Sequence, residues 1–190
     1  TLRVARAYDE DDAPLRRFAT AVMKYWICKR APIHAAEALE CLGGNGYVEE
    51  SGMPRLLRDA PINSIWEGSG NVAALDVLRA MAKEPAGLEA FLAECESARG
   101  ADQRLDRHLA ELRGHLARLA RGELDAQWAA RRTVEDLALA FQASLLVRHA
   151  PAAVADAFCA GRLGAERGRV FGTLPRGTDS AAIVERALAS

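Results

Sequence analysis

Residues 63–71 read NSIWEGSGN, and within them Glu67 is the side chain best placed to exchange a proton. It follows Ile65 and Trp66, and an apolar neighbourhood raises a carboxylate's pKa. A raised pKa suits a group that must remove a proton from a weak carbon acid. Two structural roles compete with that chemistry. Glu67 could pair with Arg55, Arg58 or Arg79, or it could cap the helix that opens at Ser69. Gly68, Ser69, Gly70 and Asn71 come next, and they lead directly into a helical pattern.

A second glycine cluster, Gly43, Gly44 and Gly46, ends an earlier helix. Bare amides beside a helix N-terminus suit an anion, phosphate above all. Glycines of this kind also terminate helices with no ligand involved. Neither cluster has the spacing of a dinucleotide fingerprint or a P-loop. Ser69 lacks the register of a nucleophile elbow.

The elements around these residues read as helices, with no sustained period-two alternation. "DEDDAP" supplies helix-start chemistry, and Leu15, Phe18, Val22 and Trp26 share one face. Pro32 is expected to end or restart that helix. A second helix would then bury Ile33, Ala36, Leu39 or Glu40, and Leu42. Residues 47–68 carry too much apolar surface for a free linker. After Asn71, Val72, Leu75, Leu78 and Met81 line up. "KEPAG" marks an internal boundary, giving expected domains of 1–84 and 85–190. Beyond it, Leu105, Leu109, Leu112, Leu116 and Leu119 form a heptad-like seam. A long helix through Trp128, Val134, Leu137, Phe141 and Leu145 should end near Pro151. A terminal helix should be capped by Thr178, Asp179 or Ser180. The fold expected is all-α: an antiparallel helical bundle with additional C-terminal helices. The opening residues read as the tail of a helix that begins before Thr1.

A net charge of −1 provides no global field for polyanions. Only three of the 25 basic residues are lysines: Lys24, Lys29 and Lys83. From residue 87 onward 14 arginines face 14 acidic residues. That balance permits a local basic stripe without demonstrating one. Cys28, Cys41, Cys95 and Cys159 have no CxxC spacing and read as buried free thiols of a reducing compartment, with no metal site. No apolar run reaches the ~18–20 residues of a membrane span. A cytoplasmic location is expected.

Residues 38–81 resemble the C-terminal α-domain of acyl-CoA dehydrogenases. The motif is carried by Gly43, Gly44, Gly46, Tyr47, Glu50, Pro54, Arg58, Asp59, Ile65, Trp66, Glu67, Gly68 and Ser69. Trp66, "GSGN", "VLR" and "KYWICKRAP", together with the helices after Lys83, are similar to the AidB-like branch. The resemblance implies FAD as cofactor, an acyl-CoA substrate and Glu67 as the base for the α-proton. Gly68, Ser69 and Asn71, with Trp66, would contact FAD. Gly43, Gly44 and Gly46 would meet the FAD of a partner subunit in a homo-oligomer, commonly a homotetramer. Glu40 stands where a glutamine is frequent, and Arg79 matches a weak candidate for the substrate channel. The family's N-terminal helical domain and middle β-domain are not in these residues, so this chain alone is expected not to hold FAD. A different reading is duplex DNA binding by Arg113, Arg118, Arg121, Arg131, Arg132, Arg148, Arg162, Arg167, Arg169 and Arg176. It requires these arginines to cluster on one face.

Overall fold

A computed structural model describes residues 1–168 and 170–188. Among them every regular element is helical. The chain divides into two compact units, residues 1–88 with 126–135, and residues 89–125 with 136–190.

The first unit is organised on one long helix. α1 (Leu2–Asp9) precedes α2 (Ala13–Cys41). Asp12 caps α2, accepting a hydrogen bond from the Leu15 amide at 3.3 Å, and Pro14 lies in its first turn. Leu15, Phe18, Val22 and Trp26 form the expected buried face. Pro32 does not end the helix: α2 runs through it for 29 residues, about 43 Å at the usual rise. An interior proline removes the bond to the carbonyl four residues back and costs about 3 kcal/mol. The buried residues of α2, Leu15 to Trp26, all precede Pro32.

The second half of α2 departs from expectation in its burial. Ile33 is 62% exposed, Ala36, Glu40 and Leu42 are also exposed, and Leu39 is half-buried. The apolar stripe exists but stays at the surface of this chain. Short elements follow: α3 (Gly44–Tyr47), a 3-10 turn (Glu49–Ser51), α4 (Met53–Asp59) and a second 3-10 turn (Ala60–Ser64). α5 (Gly70–Lys83) then packs on α2. Its buried edge is Ala74, Val77 and Ala80, while Val72 and Leu75 face out. Small residues at this contact let the two helix axes approach closely. Arg17 of α2 is tied to Asp76 of α5 at 3.2 Å.

The second unit contains α7 (Gln103–Ala120), α9 (Ala152–Leu163), α10 (Ser180–Leu188) and the second parts of α6 (Pro85–Glu96) and α8 (Ala126–His149). Leu105, Leu109, Leu112 and Leu116 are buried as the seam requires, with Leu119 half-buried. Phe91 stacks on Phe141 with ring centroids 4.8 Å apart. Asp102 caps α7 and is bound by Arg104, which also reaches Asp156. Asp179 accepts from the Ala182 amide at 3.0 Å and so caps α10.

Trp128, expected on a buried stripe, is 86% exposed, because the inward edge of α8 at that turn is Ala129 and Ala130. The cysteines also divide. Cys95 and Cys159 are buried, but Cys28 is half-buried and Cys41, the last residue of α2, is exposed. Burial raises both buried thiols, that of Cys159 to about 12. Among the described residues no helix is long and apolar enough to cross a membrane. No cluster of metal-ligating side chains occurs among them either.

Candidate functional site

The segment 63–70 is built by a lysine from α2. Lys24 Nζ donates to the carbonyls of Asn63 (3.1 Å), Trp66 (2.9 Å) and Gly68 (2.8 Å). An ammonium has three N–H donors, and here three carbonyls accept from it. Between the last two of those carbonyls sits Glu67, with φ +52°. An L-residue in that region costs roughly 1–2 kcal/mol. Gly68 follows at φ +115°, a conformation that favours glycine.

Ser69 is the N-cap of α5, but its side chain makes no capping bond. The first amide to find a helical partner is that of Ala73, on the Ser69 carbonyl at 2.8 Å. The amides of Gly70, Asn71 and Val72 are therefore the free N–H groups of a helix start. A Cβ at Gly70 would come 3.1 Å from the Lys29 side chain. Asn71 Oδ1 accepts from Arg131 Nε at 2.7 Å. Burial pushes the Tyr25 phenol up, with Arg131 opposing and Glu135 adding.

Glu67 opens on a cleft of about 430 Å³ lined by Arg17, Thr20, Lys24, Asp76 and Arg79. The structural alternatives for Glu67 are not realised. Arg55 pairs with Asp59, Arg58 with Glu49, and Arg79 with Asp76. The expected apolar enclosure is not realised either. Ile65 and Trp66 are each 60% exposed, and Glu67 is exposed with them. Both neighbours project their apolar surface outward.

Comparison with known proteins now bears on this junction. Residues 1–82 match the acyl-CoA dehydrogenase C-terminal domain. They belong to that family. The chain is 39% identical over 162 residues to the putative acyl-CoA dehydrogenase AidB of Escherichia coli, covering 83% of this chain and 29% of that protein. It is 33% identical over 154 residues to acyl-CoA dehydrogenase family member 11 of Caenorhabditis elegans, covering 73% of this chain and 25% of that one. The crystal structure of Caenorhabditis elegans ACDH-11 in complex with C11-CoA shares the fold with a TM-score of 0.68 at 24% identity, over 98% of this chain and 36% of that chain. The chain thus spans less than a third of the length of the two curated relatives.

Within this acyl-CoA dehydrogenase domain the second glycine cluster lies apart from the first. The Lys29 side chain lies beside Gly70, and α2 continues 12 residues beyond Lys29 to Cys41, about 18 Å at helical rise, before Gly43 is reached. Two of its glycines have internal reasons. Gly43 has φ +59°, and a Cβ on Gly46 would lie 2.1 Å from the Leu39 carbonyl oxygen. Gly44 has neither constraint, with nothing within 4 Å of a Cβ placed there. Glu40 is exposed nearby.

Lys24 and the Arg17–Asp76 pair were not singled out from the sequence, and Arg131 was named only among the arginines for duplex DNA. Lys24 did carry a signal, since lysine is scarce in this chain. Arg131 carried none, being 60 residues from Asn71. The arginines expected for duplex DNA are mostly engaged: Arg113 with Glu96, Arg118 and Arg121 with Glu123, Arg148 with Glu94. Arg131 holds Asn71 and Arg167 donates to the Arg162 carbonyl. Arg169 lies outside the described residues.

Proposed function

We propose that this chain is the C-terminal part of an FAD-dependent acyl-CoA dehydrogenase-type oxidoreductase, in which Glu67 removes the α-proton of an acyl-CoA thioester. The observation that carries this is the backbone of Glu67. The chain holds a non-glycine residue at φ +52° by binding the carbonyls on both sides of it, and leaves its carboxylate outside the ion pairs of the neighbouring arginines. Strain of this kind persists only where the surroundings over-determine it.

The residues present fit a flavin dinucleotide. Gly70, Asn71 and Val72 offer unpaired amides at the positive end of α5, suited to a pyrophosphate or an electron-rich ring edge. Gly68 adds no side chain in the way, and Trp66 gives an open aromatic face. When bound, the flavin would supply the acceptor for the hydrogen leaving the β-carbon. Exposure of Ile65, Trp66 and Glu67 in this chain means that the rest of the enclosure comes from elsewhere, either another part of the protein or the acyl chain itself.

The same reading gives the second glycine cluster a role. With about 18 Å of helix between Lys29, beside Gly70, and the end of α2 at Cys41, Gly43 and Gly44 would belong to a different cofactor copy, reached through self-association of the domain. The exposed Ile33, Leu42 and Tyr47 are the apolar surface such an association would cover. Residues 1–84 would form the dehydrogenase portion and 85–190 an extension. The test is anaerobic addition of acyl-CoA to the flavin-loaded protein. Wild type should lose its flavin absorbance, and Glu67→Gln should retain both flavin and absorbance. Normal bleaching by Glu67→Gln would remove the base assignment.

A further inference from the structure

We infer that Lys24 is a positioning residue for Glu67, acting as a three-point clamp on the loop that carries it. The inference rests on the assignment of Glu67 as base, but its geometry stands independently. The Lys24 bonds run from α2 to Asn63, Trp66 and Gly68, so they hold the carbonyls of the residues immediately before and after Glu67. Released from the clamp, an L-residue at φ +52° relaxes toward negative φ, which swings its side chain to a different direction.

The chemistry selects lysine. The chain uses arginine at almost every other basic position, yet position 24 is lysine. Three carbonyls converging from one loop match a compact ammonium with three rotatable donors. A planar guanidinium presents its donors in one plane and cannot replace that arrangement. The clamp has a second consequence. Lys24 lines the same cleft as Glu67, but its three donors are taken by carbonyls. The carboxylate is thereby left without an ion pair to Lys24. Arg17 and Arg79, the other cations of the cleft, are ion-paired with Asp76. Every cation facing Glu67 therefore has a partner other than Glu67.

Two measurements test the clamp, and they fail separately. Amide hydrogen exchange on the 190-residue chain reads the loop without any flavin. In Lys24→Met, exchange of residues 63–70 should rise by about tenfold or more while the amides of α7 stay unchanged. Equal protection in both proteins would overturn the clamp. In the flavin-loaded protein, Lys24→Met should slow flavin reduction by about tenfold or more at saturating acyl-CoA, with acyl-CoA affinity retained. Lys24→Arg keeps the charge and loses the three-point geometry, so its reduction rate should fall as well. A wild-type rate in Lys24→Arg would show that charge alone suffices and would refute the clamp. If Glu67→Gln reduces normally while the exchange result holds, the base assignment fails and the clamp on the loop survives as structure only.

Discussion

The two units of this chain treat their apolar side chains in opposite ways. Of the eighteen large hydrophobic residues exposed among the described residues, fourteen belong to the first unit. The second unit buries its seam leucines and Phe91 and Phe141, and satisfies its charges internally through Asp102–Arg104–Asp156 and Glu96–Arg113. A unit that closes on itself has spent its apolar surface on folding. A unit that leaves Ile33, Leu42, Tyr47, Ile65 and Trp66 in water has surface left over for ligand or partner. The irregular backbone of the candidate site lies in the open unit: the glycine loops and the Glu67 turn are there. In the closed unit Arg99, Arg104, Arg113, Arg118, Arg121 and Arg148 are paired with acids of the same unit.

Substitutions can break this contrast, and the largest effect should come from the closed unit. Phe141→Ala removes a buried ring stacked on Phe91 and should cost about 3–5 kcal/mol in denaturant unfolding. A smaller effect is expected at a tight point of the open unit. Gly46→Ala would drive a Cβ against the Leu39 carbonyl and should cost about 1–3 kcal/mol by the same measurement. Asp102→Ala comes next, losing the cap of α7 for about 1 kcal/mol. The smallest change is expected at the exposed stripe. Ile33→Ser should alter the stability of the monomer by less than about 0.5 kcal/mol while weakening self-association measured by sedimentation. A loss comparable to that of Phe141→Ala would show that the stripe is core.

Acid sharpens the same comparison. Burial acts to raise the Asp102 pKa, but the hydrogen bonds from Arg104 and two amides outweigh it, and the net shift is downward from 3.8. Glu96 is likewise lowered, from 4.5, chiefly by its hydrogen bond from Arg113. A depressed carboxylate contributes stability that is complete above its unfolded value and is lost as pH falls through its folded value. The second unit should therefore hold its stability down to about pH 4 and lose it below. Thermal scans from pH 7 to 2 should show this drop, and Asp102→Asn should flatten it.

The helices themselves were legible wherever periodicity and breakers agreed. Leu15 to Trp26 and the leucine seam of α7 needed only their spacing, because one face of each is buried within the chain. Spacing failed where the burying partner is absent or small. Ile33 and Leu42 have the right period but remain exposed, and α5 turns Ala74, Val77 and Ala80 inward instead of its larger residues. Pro32 misled for a different reason: the local cost of an interior proline is real, yet tertiary anchoring of α2 exceeds it. In the candidate site, Glu67 and the glycines were visible as an irregular stretch before a helix. Lys24 and Arg131 were not, because contacts 39 to 60 residues apart leave no local pattern.

The most direct measurement is a crystal structure of the flavin-loaded protein carrying this chain, with a non-reactive acyl-CoA analogue bound. The account predicts the Glu67 carboxylate within about 3–3.5 Å of the thioester α-carbon, on the side opposite the flavin, with Lys24 still bonded to the carbonyls of residues 63, 66 and 68. A Glu67 carboxylate turned away from the thioester, or a junction 63–71 remote from the flavin, would contradict it.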